Sequence, residues 1–173
     1  MNRNIFLIAI LFVFTSVSLE AQRVAVVDVN AVLENLPDYQ AAQNEVDQLT
    51  AKWRQEIAQE YDKIKSMYNK LQAEQVLLSN EVKIEREDEI ISKEKEVREL
   101  QKRRFGPEGD LFRRKRELVS PIQDQVFTAI EEYARIKGYD LIFDKAASAG
   151  LLFANDEFDK TDEIMRELGV RRN

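Results

Sequence analysis

The sequence predicts an α+β protein in which a small β-rich body carries a long α-helical coiled-coil hairpin. Apolar residues recur at steps of three and four through a charged segment from Asp38 to about Lys137, the spacing of helices that pack side by side. Short runs rich in β-branched or aromatic residues flank this segment, beginning at Arg23 and at Tyr139. These patterns divide the chain into a rod and a body.

Residues 1–21 form a separate unit at the start of the chain. Arg3 supplies positive charge, an unbroken apolar run extends from Ile5 to Phe14, and small polar residues follow. This pattern is typical of a cleaved signal peptide. The alternative, a membrane anchor, would need about 20 apolar residues. We therefore expect export, with a mature chain that begins at Gln22 or at Leu19.

The predicted body combines residues 22–37 with residues 118–173. Its first part contains a strand from Arg23 to Val29 and a short helix that Asn30 would cap. Pro37 then suits the first turn of the long helix that follows.

The C-terminal part of the body contains a predicted helix end, a hairpin and a last helix. Gly138 ends the helical spacing, Tyr139–Phe143 and Leu151–Ala154 predict a β-hairpin, and Asp159–Leu168 predicts an amphipathic helix. A body of this size is close to the lower limit of independent folding and leaves strand edges exposed, so we expect an oligomer. The residues predicted to form the oligomeric body are Val24, Val26, Leu141, Phe143 and Leu152.

The predicted hairpin spans residues 38–117, with its turn at Ser79-Asn80. The apolar stripe of its first arm shifts by a stutter between Trp53 and Ile64 and then resumes to Leu78. This arm would be about 60 Å long at 1.5 Å per residue. We therefore expect the hairpin to project into solvent.

Wide side chains are unusually frequent on the first arm. A tight coiled-coil seam accepts few of them, so some would face outward and contact an unfolded partner. The alternative is that they fill the seam around the stutter. The candidate residues are Trp53, Ile57, Tyr61, Ile64, Met67 and Tyr68.

A helix break is predicted at residues 106–109, where Gly106, Pro107 and Gly109 disfavour helix and would form a hinge. Basic residues surround it. They predict either a patch for an anionic partner such as a membrane surface, or an ordinary solvated face. These residues are Arg103, Arg104, Arg113, Arg114, Lys115 and Arg116.

Composition excludes much chemistry. The chain has no His and no Cys, which removes the usual catalytic triads, thiol nucleophiles and zinc sites. A net charge of −6 argues against nucleic-acid binding. Asp156, Asp159 and Asp162 are predicted as helix-start acids rather than metal ligands. We expect neither enzymatic activity nor a cofactor.

The order of a signal peptide, a strand at Arg23–Asp28, a helical hairpin, the run Gly138–Asp144, a turn and a terminal helix resembles the Skp/OmpH family of periplasmic chaperones. The resemblance implies a jellyfish-like homotrimer in which three helical tentacles extend from a β body. It also implies a periplasmic protein that holds unfolded outer-membrane proteins without ATP. The alternative function is a passive coiled-coil scaffold or adaptor of the cell envelope.

Overall fold

The computed structural model describes residues 22–147 and 151–171. The predicted signal peptide and residues 148–150 of the predicted hairpin turn lie outside the described residues. The elements in chain order are β1 (Val24–Val27), α1 (Val29–Glu34), α2 (Pro37–Glu74), α3 (Asn80–Phe105), α4 (Asp110–Lys137), β2 (Leu141–Asp144), a 3-10 turn (Asp156–Phe158) and α5 (Thr161–Glu167).

The strands β1 and β2 form a parallel two-stranded sheet, with Val24 opposite Leu141 and Val27 opposite Asp144. Parallel neighbours need a crossover connection, and here the crossover contains α1, α2, α3 and α4. The other edge of β1 is covered near Asp159, since the Lys160 amide donates a hydrogen bond to the Val26 carbonyl (2.9 Å). The rod is therefore an insertion between two paired strands.

The predicted β-hairpin of Tyr139–Phe143 with Leu151–Ala154 is wrong. β2 makes its backbone pairs with β1, while Leu151–Ala154 has no regular secondary structure and Leu152 is 98% exposed. An apolar run can form a strand only where a partner edge is available. In the described chain, β1 provides that edge for β2 and is bridged to Asp159 on its other side.

The core of the body lies where α1, α4 and α5 pack against the sheet. Val27, Val32, Val126, Ile164 and Met165 are fully buried there. Close packing of this kind makes each side chain sensitive to the loss of a methylene group. The sheet and helices of the body thus share one apolar core.

Two tyrosines extend this core. Tyr133 stacks on Tyr139 with ring centroids 5.9 Å apart, and the Arg23 guanidinium lies over the Tyr139 ring. Burial is the main reason that the pKa of Tyr133 rises to about 12.

Polar side chains define the ends of the body helices. Asp28 accepts a hydrogen bond from the Ala31 amide (2.9 Å), so Asp28 caps α1 and the prediction of Asn30 as the cap is wrong. Asp28 reaches this amide because α1 begins one residue before Asn30. Gly138 adopts φ 69° and ends α4, as its position predicted.

Asp159 fixes the start of α5, which begins at Thr161 rather than at Asp159. Its carboxylate accepts a hydrogen bond from the Thr161 amide (2.9 Å) and pairs with Lys145 (3.0 Å). Burial alone would raise the pKa of Asp159, but the hydrogen bonds from Thr161 and the ion pair with Lys145 lower it.

The helices α2 and α3 form the predicted hairpin. α2 has 38 residues and is about 57 Å long at 1.5 Å per residue. Ser79 caps α3 by accepting a hydrogen bond from the Val82 amide (3.4 Å), and the chain reverses at residues 75–79, so the first arm ends four residues before the predicted Leu78. In the described residues, no helix is both long enough and apolar enough to cross a membrane.

The helix α4 links the rod to the body. It contacts α2 and α3 near its start and packs against α1 and α5 toward its end. Pro121 lies inside this helix. The predicted domain boundary between residues 117 and 118 also lies inside α4, and the division into rod and body there stays a prediction.

Candidate functional site

The two arms of the hairpin meet along a narrow apolar seam. Ile57 and Ile64 of α2 pack with Ile90 and Val97 of α3, and all four side chains are more than nine-tenths buried. Interlocking of this kind is what holds two long helices together where they have left the body. Partly buried residues complete the seam: Met67, Leu71, Leu100 and Phe105.

The six residues predicted to contact a partner differ in burial. Tyr61 and Tyr68 are 44% and 42% exposed, and Met67 is partly buried against the seam. The remaining three are buried, as the alternative interpretation of seam filling requires: Trp53, Ile57 and Ile64. The stutter therefore leaves Tyr61 at the margin of the seam rather than inside it.

The two exposed tyrosines are held by the opposite arm. The Tyr68 hydroxyl donates a hydrogen bond to Glu94 Oε1 (3.0 Å), and the Tyr61 hydroxyl donates to Gln101 Oε1 (3.4 Å). The hydrogen bond to Glu94 is the main reason that the pKa of Tyr68 is raised. Each ring thus has a fixed position while part of its face stays open to solvent.

Charged groups flank the seam. Glu60 pairs with Lys63 on its own arm (2.6 Å) and with Lys93 on the other arm (3.0 Å). These hydrogen bonds, first from Lys63 and then from Lys93, lower the pKa of Glu60, and Glu60 is the main cause of the raised pKa of Lys93. The rod is therefore a charged surface with a few apolar side chains exposed among the charges.

Further apolar side chains are exposed toward the tip, and the sequence analysis missed them. Val76 and Leu77 are 89% and 86% exposed in the turn, and Ile84 and Ile91 of α3 are 59% and 56% exposed. The signal that could have found them is their position off the apolar stripe that continues through Leu71 and Leu78. Apolar residues off the stripe cannot reach the seam.

The predicted break separates α3, which ends at Phe105, from α4, which begins at Asp110. The last two residues of α3 pack on Trp53. The Phe105 ring contacts Trp53 edge-on at 6.3 Å between centroids, and the Arg104 guanidinium lies 4.8 Å above the Trp53 ring. Arg104 also bonds Asp110 (2.8 Å) across the break. Whether the break moves as a hinge stays a prediction.

Backbone atoms approach closely at this break. A Cβ at Gly106 would lie 2.3 Å from the Lys102 carbonyl oxygen, and one at Gly109 would lie 2.8 Å from the Arg103 carbonyl oxygen. Both positions therefore need glycine, because a side chain there would clash with the backbone of the last turn of α3. Glu108, between them, has φ 58°, a left-handed conformation that costs a residue with a Cβ some free energy.

Half of the predicted basic patch is paired with acids. Arg104 and Arg113 both bond Asp110, while Arg114 bonds Glu45 of α2 (2.6 Å), which is the main cause of the raised pKa of Arg114. Arg116 lies over the Phe112 ring, and the described residues provide no ion pair for Arg103 or Lys115. Three of the six cations are paired with acids and three are not, so both interpretations, a patch for an anionic partner and a solvated face, stay predictions.

The predicted body residues lie in two environments. Val26 is buried and Val24 is partly buried, whereas Leu141 and Phe143 of β2 are nearly half exposed and Leu152 is almost fully exposed. The body therefore keeps an apolar surface near β2 that this single chain does not cover.

Within the described residues, no three acidic side chains are grouped so that they could hold a metal ion. Asp159 lies two residues before Thr161, where α5 begins, and accepts a hydrogen bond from the Thr161 amide.

Comparisons with known proteins identify a family and a solved structure that this chain resembles. A family model described as outer membrane protein (OmpH-like) matches residues 23–168. The chain is also similar to the crystal structure of an OmpH-like candidate outer membrane chaperone from Caulobacter crescentus CB15. That similarity has 13% sequence identity and a TM-score of 0.71, covers 86% of this chain and 84% of the other, and shows the fold. No curated protein sequence matches this chain significantly.

Proposed function

Because this chain belongs to the OmpH-like outer membrane protein family, we propose that it is a periplasmic, ATP-independent holdase chaperone. It binds unfolded outer-membrane proteins and prevents their aggregation. The similar protein from Caulobacter crescentus CB15 is described as a candidate outer membrane chaperone, which supports this role. Export follows from the predicted signal peptide, and the intact mass of the protein from its native host would show whether the mature chain begins at Gln22.

The observation that carries the proposal is the set of exposed apolar side chains on an otherwise charged rod. Tyr61, Tyr68 and Ile91 present ring atoms and methyl groups to solvent, whereas Ile64 and Ile90 of the seam are buried. Strands of outer-membrane barrels alternate apolar and polar side chains, so an unfolded strand can place its apolar side chains on such a surface. The charges of the rod keep the resulting complex soluble.

We further propose that three chains assemble through the body. Exposed apolar side chains on α4, on β2 and at residues 152–153 support this assembly, because burial between subunits would remove them from water. They include Phe127, Ile136, Leu141, Phe143, Leu152 and Phe153. Sedimentation equilibrium should give the mass of a trimer. A monomer that stays folded at micromolar concentration would contradict the proposal.

The test of holding is the aggregation of an unfolded β-barrel membrane protein after dilution from urea, followed by light scattering without nucleotide. The parent protein should suppress scattering. A variant with both Tyr61→Ser and Tyr68→Ser should suppress it less, because serine removes the exposed rings. If this variant retains its helical content and still suppresses scattering as well as the parent does, the contact surface lies elsewhere.

A matched control separates the rings from their hydroxyl groups. Tyr61→Phe and Tyr68→Phe together keep the apolar rings but remove the hydrogen bonds to Gln101 and Glu94. This variant should hold unfolded protein as well as the parent does. Weak holding by both variants would mean that the cross-arm hydrogen bonds, rather than exposed apolar area, matter.

The second candidate function is a passive coiled-coil scaffold or adaptor of the envelope. It is supported by the length of the rod and by the ion pairs that join its arms. A scaffold would not suppress aggregation at any ratio of protein to substrate. The scattering experiment therefore separates the two functions.

A further inference from the structure

We propose that the tip of the hairpin is a separate docking site for a basic, apolar polypeptide segment of another protein. The tip is defined here as residues 74–91, the end of α2, the turn and the first half of α3. The proposal concerns a partner of the tip and does not depend on holdase activity.

The first observation is apolar surface at the far end of the rod. Val76 and Leu77 are the most exposed apolar side chains of the hairpin, yet their turn is held by a hydrogen bond from the Leu77 amide to the Glu74 carbonyl (2.8 Å). Ile84 and Ile91 continue this surface along α3. An ordered apolar patch so far from the body is not needed to hold the arms together, because the seam already does so.

Two concave surfaces lie beside this patch. A cavity of about 190 Å³ between the arms is lined by Met67, Leu71, Leu78 and Ile90, together with charged residues that include Arg86 and Glu89. A groove of about 400 Å³ is lined by residues that include Tyr68, Lys83, Glu87 and Ile91. Acids and bases are equal in number in each lining, so the concave surfaces offer apolar contact, and the excess of acids lies outside them, at Glu81, Glu85 and Asp88.

The second observation is the charge around the patch. Between Glu81 and Glu89 there are five acids and only two bases, Lys83 and Arg86. Arg86 pairs with Glu89 at 3.6 Å. Within the described residues, no ion pair involves Glu85, Glu87 or Asp88. The apolar patch is thus bordered by more carboxylates than bases.

This charge selects among possible occupants. An anionic membrane surface and the tip of a second copy of this chain would both be repelled, since each places negative charge against negative charge. A segment that carries Lys or Arg between its apolar residues would be attracted from a distance and would also bury Val76 and Leu77. The geometry and charge together favour such a segment.

Fluorescence anisotropy with three labelled peptides tests the proposal on the full-length protein. The peptides share one pattern of alternating Leu and Val residues and differ only in the residues between, which are Lys, Gln or Glu. The Lys peptide should bind, and its affinity should fall by roughly tenfold or more when salt is raised from low to physiological concentration. Equal binding of the Lys and Glu peptides would overturn the proposal.

Variants locate the binding at the tip. Val76→Ser with Leu77→Ser should weaken binding of the Lys peptide by roughly tenfold, since two exposed anchors are lost. Glu85→Gln, Glu87→Gln and Asp88→Asn together should weaken it and reduce its dependence on salt. The matched control also removes three negative charges, but from exposed positions of α4, by Asp124→Asn, Glu131→Gln and Glu132→Gln. If this control weakens binding equally, net charge rather than the tip binds the peptide, and the proposal is wrong.

The remaining occupants are tested directly. Vesicles of phosphatidylcholine with phosphatidylglycerol should not bind the parent protein. If they bind, and the Val76→Ser and Leu77→Ser variant does not, the occupant is a membrane and the proposal fails. The variant with Glu85→Gln, Glu87→Gln and Asp88→Asn keeps every exposed apolar side chain of the rod, so it should bind the Lys peptide weakly and still suppress aggregation as the parent does. A failure of the holdase function and a failure of tip docking therefore give different results.

Discussion

Ile90 and Ile91 are neighbours on α3 but are 2% and 56% exposed, so the same substitution at each tests how the hairpin is held. Replacing Ile90 by Ala removes three buried carbon atoms, worth about 2.4 kcal/mol at about 0.8 kcal/mol each. The cavity left in the seam raises the expected loss to about 3–4 kcal/mol. At Ile91 less than half of the side chain is buried, so about 1 kcal/mol is lost, and the higher helix propensity of Ala offsets about 0.4 kcal/mol.

Urea unfolding followed by far-UV circular dichroism measures both effects. All samples need the same protein concentration and a check of oligomeric mass, because assembly contributes to apparent stability. Amide exchange along α3 should also become faster in the Ile90→Ala variant, which places the loss in the rod. If Ile90→Ala and Ile91→Ala lower the free energy of unfolding equally, the seam does not hold the arms together and the reasoning is refuted.

Three further predictions concern single residues. Gly106→Ala should shift the emission of Trp53, because the new Cβ cannot remain 2.3 Å from the Lys102 oxygen and the break must move; unchanged emission would contradict this. Tyr133→Phe should retain more stability than the parent between about pH 10 and pH 12, since the raised pKa makes the parent lose stability as pH rises through that window. Asp159→Ala should cost about 1 kcal/mol, measured by urea unfolding, by removing the carboxylate that accepts the hydrogen bond from the Thr161 amide at the start of α5, and a loss near zero would show that this hydrogen bond is dispensable.

Local signals in the sequence predicted the elements that local interactions determine. Ser79 can cap a helix, and Gly106 and Pro107 disfavour one. Gly138, like any glycine, adopts positive φ without steric cost. The helical hairpin, its turn and its break followed from these residues and from apolar spacing. The cap of α1 was misplaced by two residues because Asp28 and Asn30 are both suitable side chains.

Features that depend on distant partners could not be predicted in the same way. Leu151–Ala154 has the composition of a strand, but β2 pairs with β1, from which it is separated in the sequence by the whole rod. The charge of Arg114 is paired with Glu45, which lies 69 positions earlier. Trp53 of α2 is covered by Arg104 and Phe105 of α3. The spacing of apolar residues within α2 alone therefore does not show whether Trp53 faces a partner or the seam.

The parallel pairing of β1 with β2 has a consequence for the order in which the chain folds. Arg23 and Asp140 are hydrogen-bonded across 117 positions, so the sheet closes a very long loop. Early formation of the α2–α3 hairpin shortens the path between the strands, because the ends of its two arms lie side by side. A chain that enters its compartment N-terminus first would leave the apolar strand Val24–Val27 without its partner until Asp144 had followed. The protein would thus be vulnerable during its own synthesis to strand-to-strand association.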